Sequence, residues 1–186
     1  MLTVACVNVS NYLNRGEEYV AKLRAMVARN LSQPHRFECI TESDKPGWWA
    51  KVDYFQVGRF AGRVLALDLD TVIVGPLDEL VKYKGLLHLG DWGWTRNDYG
   101  TGVMVWDSGE HAEIYGRYDA TVPQRFRGDQ DWAVHLGGWP ALPKGLNVSY
   151  RYHAKAGPPA GAVTVSMHGR PKPHEITKGW VPQAWQ

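Results

Sequence analysis

Two aspartates, Asp68 and Asp70, follow directly on the apolar run Val-Leu-Ala-Leu at 64–67, with one leucine between them. Side chains two residues apart on an extended chain point to the same side, so we expect the two carboxylates to lie close together. Like charges repel there unless a cation separates them, and Mg²⁺ or Mn²⁺ binds such oxygens together with substrate phosphates. The pair predicts a divalent-cation site. A solvated turn is the alternative, which the apolar flanks disfavour.

A second candidate cluster follows the apolar run 162–167 near the end of the chain. The imidazole of His168 is a plausible third ligand for Mn²⁺, although an unusual one for Mg²⁺. Lys172 is a compact positive charge that suits a diphosphate oxygen, and Gly169 lets the backbone approach a ligand closely. Taken alone, this segment is also compatible with an ordinary proline-rich surface loop.

The third candidate is the pair Asp129 and Gln130, in the segment Arg-Gly-Asp-Gln-Asp at 127–131. The pair lies at the start of a predicted helix, where a carboxylate is commonly only a cap. It therefore indicates a functional role only in combination with the other two clusters.

Alternating strands and helices must position these side chains. Apolar runs predict strands at 2–9, 37–40, 63–67, 71–74, 86–89, 103–106 and 162–167. Helical spacing or capping signals predict helices at 15–31, 46–60, 77–83, 108–118 and 129–136. This order is typical of an α/β fold with a mainly parallel sheet, in which ligands bind at the carboxyl ends of the strands. Asp68 and Asp70 lie at such an end.

Composition limits the partners. The 186 residues carry 21 basic and 19 acidic side chains without a basic run, which argues against nucleic acid. Cys6 and Cys39 lack the spacing of a metal site and are expected to be free thiols. No signal peptide or membrane span is evident, so we expect a cytoplasmic protein. The length suits a single domain over 1–186, with 175–186 as a tail that packs on the domain or on a partner chain.

Seven short segments occur in a characteristic order: Asn11-Tyr12, Ala50-Lys51-Val52, Arg63–Leu80, Gly100–Val105, Gly128-Asp129-Gln130, Leu142–Asn147 and His168–Pro173. The order resembles that of the glycosyltransferases with the GT-A fold, the nucleotide-diphospho-sugar transferases. It is most similar to family 8, which includes glycogenin and bacterial galactosyltransferases and whose last block reads HxxGxxKP. The resemblance extends over residues 2–174. It implies a single-domain α/β GT-A fold, with a mixed, mainly parallel central sheet flanked by helices.

The resemblance also implies roles for individual residues. The metal ligands would be Asp68, Asp70 and His168, holding Mn²⁺ or Mg²⁺. The donor-binding residues would be Tyr12, which stacks on the base, with Lys51, Leu69, Thr101, Gly102, Gly169 and Lys172. Asp129 and Gln130 would be catalytic and face the transferred sugar and the acceptor. The implied reaction moves a hexose, with retention, from UDP-glucose or UDP-galactose to a glycan, lipid-linked or protein acceptor.

The sequence departs from the family in two places. Gly100 replaces the usual Asn, so one contact to the donor sugar is missing or is supplied by Asn97 or Thr101. The last block reads His-Gly-Arg-Pro-Lys-Pro at 168–173, which is shorter than HxxGxxKP and changes the reach expected of Lys172.

Two alternatives from other functional classes stay open. A haloacid-dehalogenase-type phosphatase would use Asp68 as nucleophile and Asp70 as acid/base with Mg²⁺. That motif normally follows the first strand, and the acidic position of the later GDxxxD motif is Ala133 here. A non-enzymatic sugar-binding module is suggested by the indoles, among them Trp48, Trp49, Trp92 and Trp94. It leaves the paired carboxylates unexplained.

Overall fold

The computed structural model describes residues 1–89 and 99–186 of the chain. The strands in these ranges are β1 Leu2–Val7, β2 His35–Ile40, β3 Arg63–Leu67, β4 Thr71–Ile73, β5 Gly85–His88, β6 Tyr99–Asp107, β7 Asn147–Ser149 and β8 Thr164–Ser166. The α-helices are α1 Gly16–Asn30, α2 Leu77–Leu80, α3 Glu113–Gly116, α4 Val122–Arg125, α5 Asp129–Leu136 and α6 Val181–Ala184. The other helical segments are the 3-10 segments Tyr12–Asn14, Gly47–Phe55 and Pro173–Glu175 and the π-helical turn Tyr150–Ala154.

The central sheet has the strand order β2-β1-β3-β6-β5. β1 pairs in parallel with β2 and with β3, whereas β6 runs antiparallel to β3 and to β5. The predicted mixed α/β fold is therefore confirmed, but the described central sheet is not mainly parallel, because two of its four strand pairings are antiparallel. The carboxyl ends of β1 and β3 and the start of β6 meet at one edge of the sheet. At this edge Asn8 follows β1, Asp68 follows β3, and Gly102 of β6 lies beside Asp68.

A second sheet with the order β4-β8-β7 was not predicted as a unit. β4 is antiparallel to β8, and β7 is parallel to β8. The register places Ser166, the last residue of β8, opposite Thr71, the residue after Asp70. This pairing places the C-terminal cluster of His168, Gly169 and Lys172 near the aspartates. β7 was missed because three residues are too few to show a hydrophobic period.

Two hydrophobic clusters hold the sheet between its flanking helices. One contains Leu23, Met26 and Val27 of α1 together with residues of β1 and β3. The other is built around Trp106 of β6 and includes buried side chains of the 3-10 segment Gly47–Phe55. Strand residues therefore alternate between two apolar layers, as expected for a sheet that is covered on both faces.

The C-terminal segment 175–186 contacts α1. Trp185 is buried, and its ring centroid lies 5.0 Å from that of Tyr19 in α1. Arg29 of α1 donates to the carbonyl oxygen of Ala184 over 3.1 Å. Among the helices of ranges 1–89 and 99–186, none combines the length and the apolarity that crossing a bilayer requires.

Several predicted element boundaries were wrong. The helix predicted over 108–118 is reduced to α3, because the Ser108 hydroxyl donates to the Phe60 carbonyl oxygen over 2.5 Å instead of capping a helix. The segment after Pro46 forms 3-10 turns rather than an α-helix. The strand predicted over 103–106 begins earlier, at Tyr99, because β6 pairs with both β3 and β5.

Candidate active site

Asp68 and Asp70 lie in the turn that joins β3 to β4. The Asp68 N–H donates to the Gly102 carbonyl oxygen of β6 over 2.9 Å, and the Thr71 N–H donates to the Asp68 carbonyl oxygen over 3.0 Å. These two bonds hold the turn at the carboxyl edge of the central sheet. The two aspartates are the side chains shared by two adjoining cavities.

The first cavity, here called the Tyr12 cavity, has a volume of about 430 Å³. Besides the two aspartates it is lined by residues that follow β1 and by the 3-10 segment, namely Val7, Asn8, Val9, Ser10, Tyr12, Leu13, Gly47, Trp48, Lys51 and Leu69. The second, the Gln130 cavity, has a volume of about 300 Å³. Its other lining residues are Leu87, Leu89, Gly100, Gly102, Gln130, Ser166, His168, Gly169 and Lys172. Thus the carboxylates lie between an aromatic-lined space and a more polar one.

Each of the two carboxylates is paired with a partly buried lysine. Lys51 Nζ lies 2.5 Å from Asp68 Oδ1 and 3.5 Å from Asp129 Oδ2. Lys172 Nζ lies 2.5 Å from Asp70 Oδ2 and donates to the Met167 carbonyl oxygen over 3.0 Å. Both lysine side chains are only 14% exposed, so their ammonium groups are held by the fold rather than by solvent.

The pKa values reflect this pairing. Burial by itself would lower the pKa of Lys51, but the charges of Asp129 and Asp68 outweigh it and raise the pKa above its usual range. Burial raises the pKa of the Asp68 carboxyl, the Lys51 ammonium opposes that rise, and the charge of Asp70 adds to it. The charges of this centre are therefore strongly interdependent.

The two residues of the predicted catalytic pair, at the start of α5, lie in different surroundings. Gln130 lines the Gln130 cavity, whereas Asp129 is buried behind Lys51 and lines neither cavity. Thr101 was predicted to bind the donor, but it is buried and its hydroxyl donates to Asp129 Oδ2 over 2.5 Å. In this arrangement Asp129 and Thr101 position Lys51, while Gln130 is open to a ligand.

Tyr12 lines the cavity named after it, and its hydroxyl donates to Asp70 Oδ2 over 2.8 Å. Burial raises the pKa of Tyr12, and the charge of Asp70 raises it further, so the hydroxyl stays protonated. The loop around it is strained, since Asn11, Leu13 and Asn14 all have positive φ angles. The sequence did not indicate Asn8, whose Oδ1 accepts the Tyr12 N–H over 3.0 Å and stabilises this loop.

His168 lines the Gln130 cavity, but the structure does not assemble it with the aspartates into a metal site. Within ranges 1–89 and 99–186, no three His, Cys, Asp or Glu side chains lie close enough together to hold a metal ion. His168 Nε2 instead lies 2.6 Å from Ser149 Oγ, and the ring stacks on Tyr152 with centroids 5.8 Å apart. Burial lowers the pKa of His168, and the charges of Arg151 and Lys172 lower it further.

The spacing of the last block explains this outcome. Counted back from Gly169 and Lys172, the GxxKP part of HxxGxxKP is intact, and the histidine position of that motif is Ser166. Ser166 ends β8 and lines the Gln130 cavity. His168 is the residue immediately before the glycine, so the block is not shortened but carries serine in place of histidine.

The described residues therefore do not fit a three-ligand divalent-cation site. Asp68 and Asp70 offer carboxylates, yet both already contact ammonium groups, and Ser166 offers only a neutral hydroxyl. A divalent ion bound to these carboxylates would lie about 5 Å from each ammonium, at a repulsion of roughly 7 kcal/mol apiece for an effective dielectric constant of about 20. Lys51 and Lys172 would have to move before such an ion could bind.

The remaining predicted donor contacts lie around the two cavities. Leu69 is buried against the Tyr12 cavity, and Gly169, with φ +70°, lines the Gln130 cavity. A Cβ at Gly102 would lie 3.1 Å from Asp68 Oδ2, so the glycine leaves room for this carboxylate. A Cβ at Gly100 would lie 3.1 Å from the Leu89 side chain, which accounts for the small residue there. Asn97, Trp92 and Trp94 lie outside the described residues.

Comparison with known proteins gives no match to a family model and none to a curated protein sequence. Solved structures do match. The glycosyltransferase GlyE of Streptococcus pneumoniae TIGR4, in its apo form, superposes with a TM-score of 0.70 at 15% identity, over 98% of this chain and 58% of that one. A second GlyE structure gives 0.66 at 13% identity over 99% and 59%. The chain thus spans less than two thirds of the length of GlyE.

Two further matches extend over most of both chains. A glycosyltransferase involved in the glycosylation of the major capsid of PBCV-1 gives a TM-score of 0.61 at 12% identity, over 91% of this chain and 94% of that one. An active-site mutant of LgtC gives 0.58 at 14% identity, over 98% and 93%. At these identities the matches show the fold, which is the GT-A fold that the sequence predicted. A haloacid-dehalogenase fold is not supported.

Proposed function

We propose that this protein transfers a hexose from a nucleoside-diphosphate sugar to an acceptor. One observation supports this most directly: on a GT-A fold, a carboxylate pair with two partly buried lysines separates two adjoining cavities at the carboxyl edge of the sheet. A nucleotide sugar has the matching sequence of parts, namely a flat base, a charged diphosphate and a polar sugar.

The lining of the cavities orients the donor. The Tyr12 cavity offers aromatic faces at Tyr12 and Trp48 for a base, and polar groups at Asn8 and Ser10 for a ribose. The diphosphate would lie at the two lysines, and the hexose would enter the Gln130 cavity. We propose UDP-glucose or UDP-galactose as the donor, because one of the structures that match this fold is described as the galactosyltransferase LgtC in complex with donor and acceptor sugar analogs.

The chemistry needs stabilisation of the leaving group. The bond between C1 of the hexose and the phosphate oxygen breaks, the electron pair goes to the nucleoside diphosphate, and the acceptor oxygen forms the new bond to C1. The acceptor proton passes to the departing phosphate or to water. Negative charge therefore develops on the phosphate, beside Lys172 and Lys51, where fixed ammonium groups act most strongly on the transition state. Gln130 would contact the sugar or the acceptor as the bonds exchange.

Retention of the anomeric configuration is part of the proposal, as is an acceptor that is a glycan, a lipid-linked sugar or a protein. If Mn²⁺ or Mg²⁺ displaced the lysines, it would bind Asp68 and Asp70 and would polarise the diphosphate as a Lewis acid. No step above depends on such an ion, because among the described residues no third ligand lies close enough to the aspartates.

The test is a donor and acceptor screen with the purified protein. UDP-glucose and UDP-galactose are each incubated with simple sugar acceptors, in Mn²⁺ and in chelator, and UDP release is measured. Product NMR then gives the anomeric configuration. We expect UDP release that depends on Asp70 and on Gln130, with Asp70→Asn and Gln130→Ala as variants. Free-glycan binding without UDP binding would support a sugar-binding module instead, and release of phosphate from an aryl phosphate would support a phosphatase.

A further inference from the structure

The carboxylate pair is already provided with positive charge by the chain itself. Lys51 contacts Asp68, and Lys172 contacts Asp70, both over 2.5 Å. On the basis of the proposed function, we propose that Lys51 and Lys172 take the place of the divalent cation, so that this protein binds a nucleoside diphosphate without metal. The motif position that would supply the histidine ligand is Ser166, which agrees with a site that has lost its ion.

Each ammonium group has a hydrogen left for a phosphate oxygen. A lysine ammonium donates three hydrogen bonds. Lys172 uses two of them, on Asp70 Oδ2 and on the Met167 carbonyl oxygen. Lys51 directs two toward Asp68 Oδ1 and Asp129 Oδ2. Since Lys172 lines the Gln130 cavity and Lys51 lines the Tyr12 cavity, the remaining donors flank the two carboxylates that both cavities share.

The charge around the carboxylates also permits a diphosphate to bind without a metal ion. Asp129 lines neither cavity; its Oδ2 accepts from the Thr101 hydroxyl and lies 3.5 Å from Lys51 Nζ. Among the described residues, the charged groups that line the cavities are two carboxylates and two ammonium groups. With Asp129 included, the two lysines reduce the charge of the three carboxylates from −3 to −1. A diphosphate therefore meets much less repulsion there than bare carboxylates without the lysines would exert on it.

The lysines are also rigidly placed. Their side chains are 14% exposed, and the Tyr12 hydroxyl, which donates to Asp70, fixes the carboxylate that Lys172 contacts. A charged donor that is already oriented gives a strong hydrogen bond to phosphate without the entropy loss of ordering a flexible side chain.

The experiment measures binding of UDP alone by calorimetry, to the full chain, in excess EDTA and in millimolar Mn²⁺. We expect dissociation constants within about threefold of one another in the two conditions, and weaker binding at high salt. Lys172→Met should weaken UDP binding by about 10- to 100-fold in EDTA, the range for loss of a hydrogen bond to a charged group. The matched control is Lys82→Met, which removes an exposed lysine paired with Glu79 and should leave UDP binding unchanged.

The outcomes separate the two proposals. UDP binding that requires Mn²⁺, or a Lys172→Met variant that binds UDP in EDTA as tightly as the wild type, overturns the lysine proposal and leaves the proposed transferase intact. Absence of UDP binding in both conditions overturns the proposed function. Thermal melting of each variant checks its folding, and if Lys172→Met does not fold, the comparison of wild-type binding in EDTA and Mn²⁺ decides by itself.

Discussion

Gly16, the first residue of α1, allows the Tyr12 loop to form. A Cβ at this position would lie 2.6 Å from Asn8 Cγ and closer still to Asn8 Oδ1, well inside van der Waals contact. Asn8 Oδ1 accepts the Tyr12 N–H, so Gly16→Ala must displace the side chain that stabilises the loop. The backbone of Gly16 does not have a positive φ angle, which means that the clash, and not backbone strain, determines the effect.

The magnitude follows from two contributions. Loss of the Asn8 bond to the Tyr12 N–H costs about 1 kcal/mol, and overpacking adds about 1–2 kcal/mol. Alanine regains at most about 1 kcal/mol as a better helix former. We therefore expect Gly16→Ala to lower the free energy of unfolding by about 1–2 kcal/mol. The free energy of UDP binding should fall by more than the free energy of unfolding, because Tyr12 lines the cavity proposed for the base.

A double-mutant cycle in urea tests the cause. Asn8→Ala removes the hydrogen bond without a clash and should cost about 1 kcal/mol. In Asn8→Ala/Gly16→Ala the clash partner is absent, so the double variant should be no less stable than Asn8→Ala alone, with a coupling energy of about 1–2 kcal/mol. Additive losses in the two single variants would refute the reasoning, since they would show that the alanine methyl group does not meet Asn8.

Three further predictions concern other parts of the chain. Tyr12→Phe removes the hydroxyl that donates to Asp70, and UDP binding measured by calorimetry should weaken by about tenfold with little change in melting temperature. The folded-state pKa of His168 lies below its ordinary value of 6.5, so the unfolded chain takes up this proton first, and stability is lost as the pH falls below about 6.5. His168→Gln should reduce that loss between pH 7 and pH 5 in urea titrations, and an unchanged pH profile would contradict the assignment. Lys45→Met leaves the Asp53 carboxylate without its ammonium partner at 2.8 Å, and should cost about 3–5 kcal/mol in the same titrations while UDP binding persists in the folded protein.

Local features of the fold could be predicted because they are encoded within a few neighbouring residues. The apolar frame around Asp68 and Asp70 predicted a strand that ends at a ligand edge, and β3 ends there. The apolar period over 15–31 predicted α1, observed as Gly16–Asn30. Hydrophobic period and chain direction need no distant partner, so sequence alone is sufficient for them.

Contacts between distant segments depended on the tertiary structure. Lys172 meets Asp70 across 102 positions of sequence, and Lys51 meets Asp68, only because the β4–β8 pairing and the 3-10 segment bring them to one edge. The same register places Ser166, and not His168, at the end of β8. A side chain's partners are set by which strands pair and in which register, and a shift of one residue turns each side chain to the opposite face. For this protein, sequence alone determined where the acidic pair lies, and only folding determined that lysines would neutralise it.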